Sequence, residues 1–326
     1  MRILVTGAEG FVGSEIVAEF QKEKFEVFRL NSLKSKNSNN SEYLLRADIT
    51  NFESLKKPEE LKKIDVVVHA AGLAHQFGEI SKEDFWKVNV EGTKNVALLA
   101  AKLSAKHMIL ISSVAVYGRA GKQKGRAVVD EDSGCEPESL YAQSKLEAEL
   151  AATKICEEHK LPLTILRLAT VIGEDDPGNT SRLIKAIDKK RFVWLGKGEN
   201  YKSLIYKTDV AKACQSVLDK KSSEREVFNV TAGPVSMKAI VSEIERHLDK
   251  KIPGIYVPEK LLKIAFAANE KLFRLKRIIK LSETVEKWLS EDVFSGEKIA
   301  LKYRFRAETP VAEAIQRQVE SYKSQR

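Results

Sequence analysis

Cysteine is scarce in this sequence, and its scarcity argues against two classes of protein. The 326 residues contain three cysteines, Cys135, Cys156 and Cys214, which lie far apart and without the short spacing of metal ligands. Disulfide-rich secreted scaffolds and zinc modules are therefore disfavoured. We expect no metal site and a reducing, cytoplasmic environment.

Long apolar runs, a leader pattern and nucleic-acid motifs are also missing. No run approaches the roughly 20 apolar residues of a membrane span, and Met1 leads straight into an apolar strand pattern. The net charge of +9 is spread along the chain, which is compatible with an anionic partner or with a lysine-rich surface. Because no RNA- or DNA-binding motif accompanies it, we expect no nucleic-acid partner. The length and composition are those of a soluble protein with one large α/β domain and a smaller lobe.

What the sequence does contain is a glycine pattern at its beginning. An apolar run, Ile3 to Val5, precedes Gly7, Gly10 and Gly13, and a segment with apolar residues at helical spacing follows. This order predicts a buried strand, a tight turn and a helix. In dinucleotide-binding folds such glycines allow a sharp turn and a close approach to the pyrophosphate, which lies at the helix N-terminus. An ordinary glycine-rich turn is the alternative, and the placement after the first strand favours the dinucleotide site.

The end of the second predicted strand, Phe25 to Leu30, bears on the choice of cofactor. Dinucleotide folds usually place a carboxylate there to hold the ribose hydroxyls. Here Asn31 takes that position, and Lys34 and Lys36 follow. The absence of the carboxylate together with the two lysines favours NADP slightly over NAD. The alternative is a polar loop that happens to contain lysines.

Further apolar runs alternate with helical patterns along the first half of the chain. The predicted strands are Leu44 to Ile49, Asp65 to Gly72, Lys106 to Ser113 and Leu163 to Ala169. This alternation indicates parallel βαβ units with right-handed crossovers, and ligands bind beyond the carboxyl ends of such strands. We expect Gly7, Ala71, Gly72, Ser112 and Ser113 to meet at that edge. Asp48 is placed to accept a hydrogen bond from an adenine amino group.

Tyr141 and Lys145 are the strongest candidates for chemistry. They are four residues apart in a probable helix and therefore share one face. A nearby ammonium favours tyrosinate, so we expect Lys145 to lower the pKa of the Tyr141 phenol towards the working pH. Ser113 would hold a substrate oxygen beside the phenol. A tyrosine and a lysine four residues apart are common in helices. They indicate a catalytic site here because the glycine turn and a strand that ends in Ser113 precede them in the sequence.

Five motifs in order, TGAEGFVG, HAAG, VNVEGT, SSVAVYG and YAQSK, resemble the extended short-chain dehydrogenase/reductase family. The resemblance is nearest to its NAD-dependent epimerase/dehydratase members, the nucleotide-sugar epimerases and reductases. It implies a Rossmann-like doubly wound parallel sheet over residues 1–170. It also implies a smaller C-terminal α/β substrate lobe over 171–326, with the chain crossing back at about 203–230. Homodimers are usual in this family.

The resemblance also assigns roles to residues. It implies a catalytic set of Ser113, Tyr141 and Lys145, with Tyr141 as proton donor or acceptor. It implies a cofactor site for NAD or NADP formed by Gly7, Gly10, Phe11, Val12, Gly13, Asn31, Asp48, Ile49, Ala70, Ala71, Gly72, Asn89, Tyr141 and Lys145. Sugar 4,6-dehydratases of the family carry an Asp-Glu pair where this chain has Val114 and Ala115, so dehydration is disfavoured.

The substrate residues that the resemblance implies are Ser113, Thr170, Asn179 and Lys202. Thr170 stands where the family often has an asparagine, and Lys202 stands where it often has a phosphate-binding arginine. Lysine supplies charge but no bidentate fork. A second arginine, usual before the closing helix, is not evident. A nucleoside-diphosphate sugar therefore remains the expected partner, with weaker support at single residues.

The remaining segments leave more than one interpretation. Val227 to Val230 and Ile255 to Val257 are predicted as short strands of the small lobe, with Ser236 as the N-cap of a helix. The basic, apolar segment from Lys260 to Leu281 is either a lobe helix or, less favoured, a membrane-surface helix that would suit a lipid-linked substrate. His75 is interpreted as a surface-loop residue.

The first functional hypothesis is a nucleotide-sugar 4-epimerase of the UDP-hexose type that transfers a hydride at C4. An NADPH-dependent 4-ketoreductase of a nucleotide-linked deoxysugar would use the same site. A sterol or lipid alcohol dehydrogenase is a third enzyme hypothesis. A non-catalytic NAD(P) sensor is disfavoured because Tyr141 and Lys145 are both present.

Overall fold

The structure is a computed structural model that describes residues 1–33, 43–56, 61, 63–74, 80–118, 128–218, 225–254, 256–258, 285 and 288–326. Its strands are β1 Arg2–Thr6, β2 Glu26–Asn31, β3 Leu44–Arg46, β4 Val66–His69, β5 His107–Ser113, β6 Leu163–Leu168, β7 Thr170–Ile172, β8 Trp194–Leu195, β9 Tyr201–Tyr206, β10 Arg225–Val230, β11 Pro234–Ser236 and β12 Tyr256–Val257.

The helices surround these strands. They are α1 Phe11–Lys22, α2 Phe52–Leu55, α3 Lys82–Phe85, α4 Gly92–Lys102, α5 Leu140–Glu158, α6 Asn179–Asp188, α7 Lys207–Leu218, α8 Met237–Leu248, α9 Glu297–Tyr303 and α10 Val311–Ser324. A π-helical turn, Trp86–Glu91, joins α3 to α4. A 3-10 turn, Val114–Tyr117, follows β5.

Seven parallel strands form the main sheet in the order β10-β6-β5-β4-β1-β2-β3. Its inner strands are apolar along their length, as β4 shows with four buried residues, because helices cover both faces of the sheet. On one face Ile3 and Val5 pack against Ile16 of α1 and Val210 of α7. On the other face Leu4 packs with residues of α4 and α5 such as Val96 and Ala152. This arrangement confirms the predicted doubly wound α/β class.

A smaller group of elements packs at the C-terminal side. β9 pairs with β7 and β11 in one small sheet, and β12 pairs with β8 in another. Its core contains Ile187 of α6, Ile244 of α8 and Ile315 of α10. Ser236 caps α8 as predicted, because its hydroxyl accepts from the Ala239 amide at 3.1 Å.

The strand predicted at Val227 to Val230 does not join the small lobe, and it lies in the segment of about 203–230 for which the resemblance implies a return to the main domain. It lies in β10 and pairs with Ile165 to Leu168 of β6 in the main sheet. The chain returns there through α7, which packs with α1 on the main sheet. Phe228 and Val230 are fully buried in that same core, which explains why the strand joins it.

Some predictions fall outside the described residues: those for Lys34, Lys36, His75, Ile255 and the segment from Lys260 to Leu281. Within the part of the chain that is described, no helix combines the length and the apolar character needed to cross a bilayer. The same residues contain no cluster of His, Cys, Asp and Glu that suits a metal ion.

Candidate active site

The glycine turn between β1 and α1 leaves no room for side chains. Gly7 has a φ of +68°, and a Cβ there would lie 2.7 Å from the Cα of Ala71. A Cβ on Gly13 would lie 2.0 Å from the Gly7 carbonyl oxygen. The Gly10 amide donates to that same oxygen at 2.9 Å. The turn is thus pressed between its own helix and the end of β4, as a close approach to a pyrophosphate requires.

Asn89 fixes the opposite side of this cradle. Its side chain accepts from the Leu73 amide at 2.7 Å and donates to the Leu73 carbonyl at 3.0 Å. It also donates to the hydroxyl of Ser144 on α5 at 2.9 Å. A Cβ on Gly72 would lie 3.1 Å from Asn89 Oδ1 and 4.0 Å from Lys145 Nζ. The π-helical turn that carries Asn89 therefore holds the loop after β4 against the helix of Tyr141.

Asn31 ends β2 with a buried side chain, 3% exposed. Its Oδ1 has no hydrogen-bond donor among the residues that the structure describes. Buried acceptors in proteins almost always have a donor. A ribose hydroxyl of a dinucleotide would supply one at this position, so the residues present fit the cofactor that the glycine turn indicates.

Two further predicted cofactor residues lie after β3. Asp48 Oδ1 accepts from the amide and the hydroxyl of Thr50 at 2.9 and 2.8 Å, which forms a local turn. The carbonyl of Ile49 accepts from Asn95 Nδ2 at 2.8 Å. The side chain of Ile49 covers Gly92, where a Cβ would lie 2.8 Å from Ile49 Cδ1. These contacts fix the loop. The hydrogen bond from adenine to Asp48 stays a prediction.

The structure brings Ser113, Tyr141 and Lys145 together at the end of β5. Ser139 caps α5 by accepting from the Ala142 amide at 3.2 Å, and this cap places Tyr141 in the first turn. Tyr141 shares a hydrogen bond with Ser113. Lys145, one turn later, donates from Nζ to the Ile111 carbonyl at 2.6 Å. The three side chains thus converge at the carboxyl edge of the sheet.

The pKa values of this cluster differ from the prediction. Burial raises the pKa of the Tyr141 phenol, and the hydrogen bond with Ser113 lowers it only in part. Burial lowers the pKa of Lys145 to about 8, against a smaller opposing effect of Glu149. The predicted lowering of the Tyr141 pKa by Lys145 is wrong here, because burial of the phenol outweighs its polar contacts.

A buried ion pair lies behind the cluster. Glu149 of α5 is 1% exposed and Arg167 of β6 is 5% exposed. Arg167 donates to both carboxylate oxygens of Glu149, at 2.7 Å from Nη2 and at 3.1 and 3.2 Å from Nε. Ser112 donates to the same carboxylate. Sequence reasoning missed this pair, although a charged residue within the apolar β6 pattern is a usable signal for a buried partner.

The predicted substrate residues are placed less closely together. Thr170 is exposed and lies two residues after Leu168. Leu168 of β6 pairs with Ser113 of β5. Asn179 is exposed at the start of α6. Lys202 donates to Asp292 at 2.6 Å and to the hydroxyl of Ser290 at 2.9 Å. The ammonium predicted to meet a phosphate is therefore ion-paired. Of Thr170, Asn179 and Lys202, the predicted substrate residue nearest to the cluster along the chain is Thr170.

Sequence reasoning also missed His69, which ends β4 beneath the cradle. Its ring bonds to Thr6 at 2.7 Å and to Thr93 at 3.0 Å. The available signal was a polar residue directly after the apolar run Val66 to Val68, at the ligand-binding edge of the sheet.

This fold and cluster define an enzyme of the extended short-chain dehydrogenase/reductase type. The sequence profile described as the NAD dependent epimerase/dehydratase family matches residues 3–231, and the chain belongs to that family.

Several relatives are named as 4-epimerases of diphosphate-linked sugars. The chain is 29% identical over 308 residues to an N-acetyl-alpha-D-glucosaminyl-diphospho-ditrans,octacis-undecaprenol 4-epimerase of Escherichia coli O157:H7, covering 91% of this chain and 88% of that protein. It is 28% identical over 261 residues to the UDP-glucose 4-epimerase of Vibrio cholerae, covering 78% of each. Its fold is similar to that of a Thermotoga maritima UDP-glucose 4-epimerase solved with UDP-glucose. There the TM-score is 0.79 at 20% identity, and the alignment covers 100% of this chain and 99% of that one.

Proposed function

We propose that this protein is an NAD(P)-dependent 4-epimerase of a diphosphate-linked hexose, such as a UDP-hexose. The observation that carries the proposal is the convergence of Ser113, Tyr141 and Lys145 beside the glycine cradle. Relatives named as 4-epimerases of UDP-glucose and of an undecaprenol-linked sugar support this reaction. The 4-ketoreductase hypothesis uses the same side chains and differs in its net consumption of cofactor.

In this proposal the chain's own residues handle the proton of the sugar hydroxyl. A nicotinamide dinucleotide held by the glycine turn and Asn31 would supply reversible hydride transfer at C4. Tyr141 takes the proton of the C4 hydroxyl and later gives it back. Ser113 holds the same oxygen by a hydrogen bond. Lys145, one helical turn after Tyr141, would hold the ribose next to the nicotinamide.

The turn after β5 disfavours dehydration as the outcome. A 4,6-dehydratase needs an acid and a base near C5 and C6 of the sugar. Val114 and Ala115 follow Ser113 in the 3-10 turn and have no titratable group. The hydroxyl of Ser113 accepts from the Ala115 amide at 3.2 Å, which fixes these apolar residues at the edge of the site.

The cofactor proposal follows from Asn31. Its buried Oδ1, which has no donor among the described residues, suits a free ribose hydroxyl, which donates a hydrogen bond, better than a phosphate, which at neutral pH only accepts. This favours NAD. The prediction of NADP rested in addition on Lys34 and Lys36, which lie outside the described residues.

A second candidate keeps this chemistry and changes the carrier of the sugar to a polyprenol diphosphate. Lys202, the expected partner of a nucleotide phosphate, is ion-paired with Asp292 at 2.6 Å. The Escherichia coli relative is named for an undecaprenol-linked sugar and covers more of the chain than the Vibrio cholerae enzyme. The basic, apolar sequence from Lys260 to Leu281 would suit a lipid carrier.

A single set of assays separates these candidates. Mass spectrometry of the denatured protein identifies any retained dinucleotide, and proton NMR follows C4 inversion of UDP-glucose, UDP-N-acetylglucosamine and N-acetylglucosaminyl-diphospho-polyprenol. An epimerase interconverts C4 epimers without net cofactor consumption, whereas a ketoreductase consumes NADPH in proportion to its product. We expect Tyr141→Phe to bind NAD as the wild type does and to lose about 10²- to 10⁴-fold in turnover. A wild-type protein that binds neither NAD nor NADP contradicts the proposal.

A further inference from the structure

A chain of buried hydrogen bonds runs beneath the cofactor cradle, and His69 is at its centre. The His69 side chain, 1% exposed, lies between two threonine hydroxyls. Its Nδ1 is 2.7 Å from Thr6 Oγ1 at the end of β1. Its Nε2 is 3.0 Å from Thr93 Oγ1 in the first turn of α4.

The neighbours of the two threonines fix the direction of every hydrogen bond in this chain. Thr93 donates its only hydroxyl proton to the Asn89 carbonyl, which can only accept. Its oxygen must therefore accept from His69 Nε2–H. Nδ1 of a neutral ring then accepts from the hydroxyl of Thr6, whose oxygen in turn accepts from the Ala71 amide at 3.3 Å. The chain has no place for a second proton on the ring.

Burial supports the same protonation state. Desolvation of the ring, reinforced by the Lys145 ammonium, lowers the pKa of His69 to about 3. The ring is therefore neutral at any working pH, with its proton on Nε2.

This chain of hydrogen bonds joins the loop after β4 to the π-helical turn that carries Asn89. At one end it holds the Ala71 amide in the loop that closes over Gly7. At the other end it holds Asn89, whose side chain donates to Ser144 at 2.9 Å. Ser144 donates to the Tyr141 carbonyl at 2.8 Å. One continuous path thus leads from the glycine strand to the first turn of the helix that carries Tyr141.

We propose that His69 is a positioning residue that, as the neutral Nε2–H tautomer, sets the backbone of Ala71 and Asn89 and so aligns the dinucleotide with Tyr141. Its effect on the dinucleotide rests on the proposed cofactor-dependent function. The direction of the hydrogen bonds does not, because it follows from the described side chains alone.

The test compares two buried histidines on neighbouring strands. His107 begins β5 at the opposite edge of the sheet and bonds to Thr164 at 2.8 Å. We expect His69→Leu and His107→Leu both to lower the melting temperature. Only His69→Leu should weaken NAD binding, by about tenfold in Kd, which corresponds to the loss of one or two hydrogen bonds. His69→Gln, which retains a donor and an acceptor, should recover part of that affinity. Equal NAD affinity of the two leucine variants overturns the proposal.

Two measurements keep the proposal falsifiable if His69→Leu fails to fold. Nitrogen-15 NMR of wild-type protein with labelled histidine should show a buried ring with Nε2 protonated and Nδ1 bare at pH 7. A protonated Nδ1 overturns the proposal. Thr93→Val keeps the side-chain shape, and in it the Ala71 and Leu73 amides should exchange hydrogen faster than in Thr164→Val. If the wild type binds no dinucleotide, the proposed function fails. The NMR and hydrogen-exchange results still decide whether the hydrogen bonds through His69 are present.

Discussion

Among the residues of the candidate site, Lys145 is the group whose protonation changes nearest to neutrality. Burial lowers its pKa to about 8, whereas burial raises the pKa of Tyr141. The spacing of the two residues predicted their shared helical face, and the structure places both at the sheet edge. The prediction of a lowered Tyr141 pKa was wrong, because a four-residue spacing carries no information about how deeply a helix face is buried.

Asn31 gives a prediction in which stability and binding change in opposite directions. Its buried Oδ1 lacks a donor among the described residues, and an unpaired buried acceptor costs the free protein about 1–3 kcal/mol. Asn31→Leu removes that acceptor. We expect the free protein to melt at a higher temperature and to bind NAD about tenfold more weakly, because one ribose hydrogen bond is lost.

Calorimetric titration with NAD and a thermal melt of the free protein check this prediction. Asn31→Asp is the matched control, since it keeps an acceptor and should keep or improve NAD affinity while it weakens NADP binding. If NAD affinity in Asn31→Leu equals that of the wild type, Asn31 does not contact the ribose.

At the scale of elements, the order of strands and helices was predictable and their partners were less so. The glycine pattern placed β1 and α1, and apolar runs placed β2 to β6. The run Val227 to Val230 predicted a strand but not its sheet, because its three apolar residues fit either core equally well. Only the family resemblance indicated that the chain crosses back at about 203–230. Its partner β6 is selected by α7, which packs on α1 and brings the chain back to the main sheet. Such a return depends on packing between elements far apart in the sequence.

The β1–α1 turn supplies the prediction at this scale. A Cβ at position 13 would lie 2.0 Å from the Gly7 carbonyl oxygen, so Gly13→Ala must push the helix away from the turn. We expect a loss of roughly 1–3 kcal/mol in the free energy of unfolding, the usual cost of overpacking. NAD binding should weaken as well, because the amides that face the pyrophosphate move. Urea denaturation and NAD titration measure the two effects.

Gly134 offers the matched control for that variant. A Cβ there would meet nothing within 4 Å. Gly134→Ala should therefore leave NAD affinity unchanged and the free energy of unfolding within about 0.5 kcal/mol of the wild type. Equal behaviour of the two alanine variants would mean that the turn tolerates expansion and that Gly13 is not required for close packing.

In the molecule as a whole, the main sheet and the smaller lobe meet through charged side chains as well as through the backbone. Lys207 at the start of α7 bonds to Glu15 of α1 at 2.9 Å and to Glu174 after β7 at 3.4 Å. Tyr206, which precedes it in β9, donates to the same Glu174 at 2.9 Å. None of these residues stood out in the sequence, because a contact between lobes leaves no periodic pattern along the chain.

The acid stability of the molecule should depend on the two histidines that are buried among the described residues, His69 and His107. Burial lowers the pKa of His69 to about 3 and that of His107 to about 4, both below the ordinary value of 6.5. Between pH 6.5 and these lowered pKa values, the unfolded chain binds protons on both histidines that the folded chain does not bind. The free energy of unfolding is therefore highest above pH 6.5 and falls as the pH drops, by about 1.4 kcal/mol per pH unit for each fully buried histidine.

His107→Gln isolates one of these contributions without touching the cofactor cradle. Glutamine keeps a donor for Thr164, which bonds to His107 at 2.8 Å, and does not titrate. Urea denaturation at pH 7, 6 and 5 should show a smaller loss of stability in this variant than in the wild type, by up to about 2 kcal/mol over the range. His159→Gln, at an exposed site after α5, controls for the effect of a histidine-to-glutamine exchange itself. If His107→Gln loses stability as steeply as the wild type, His107 does not contribute to the acid dependence of stability.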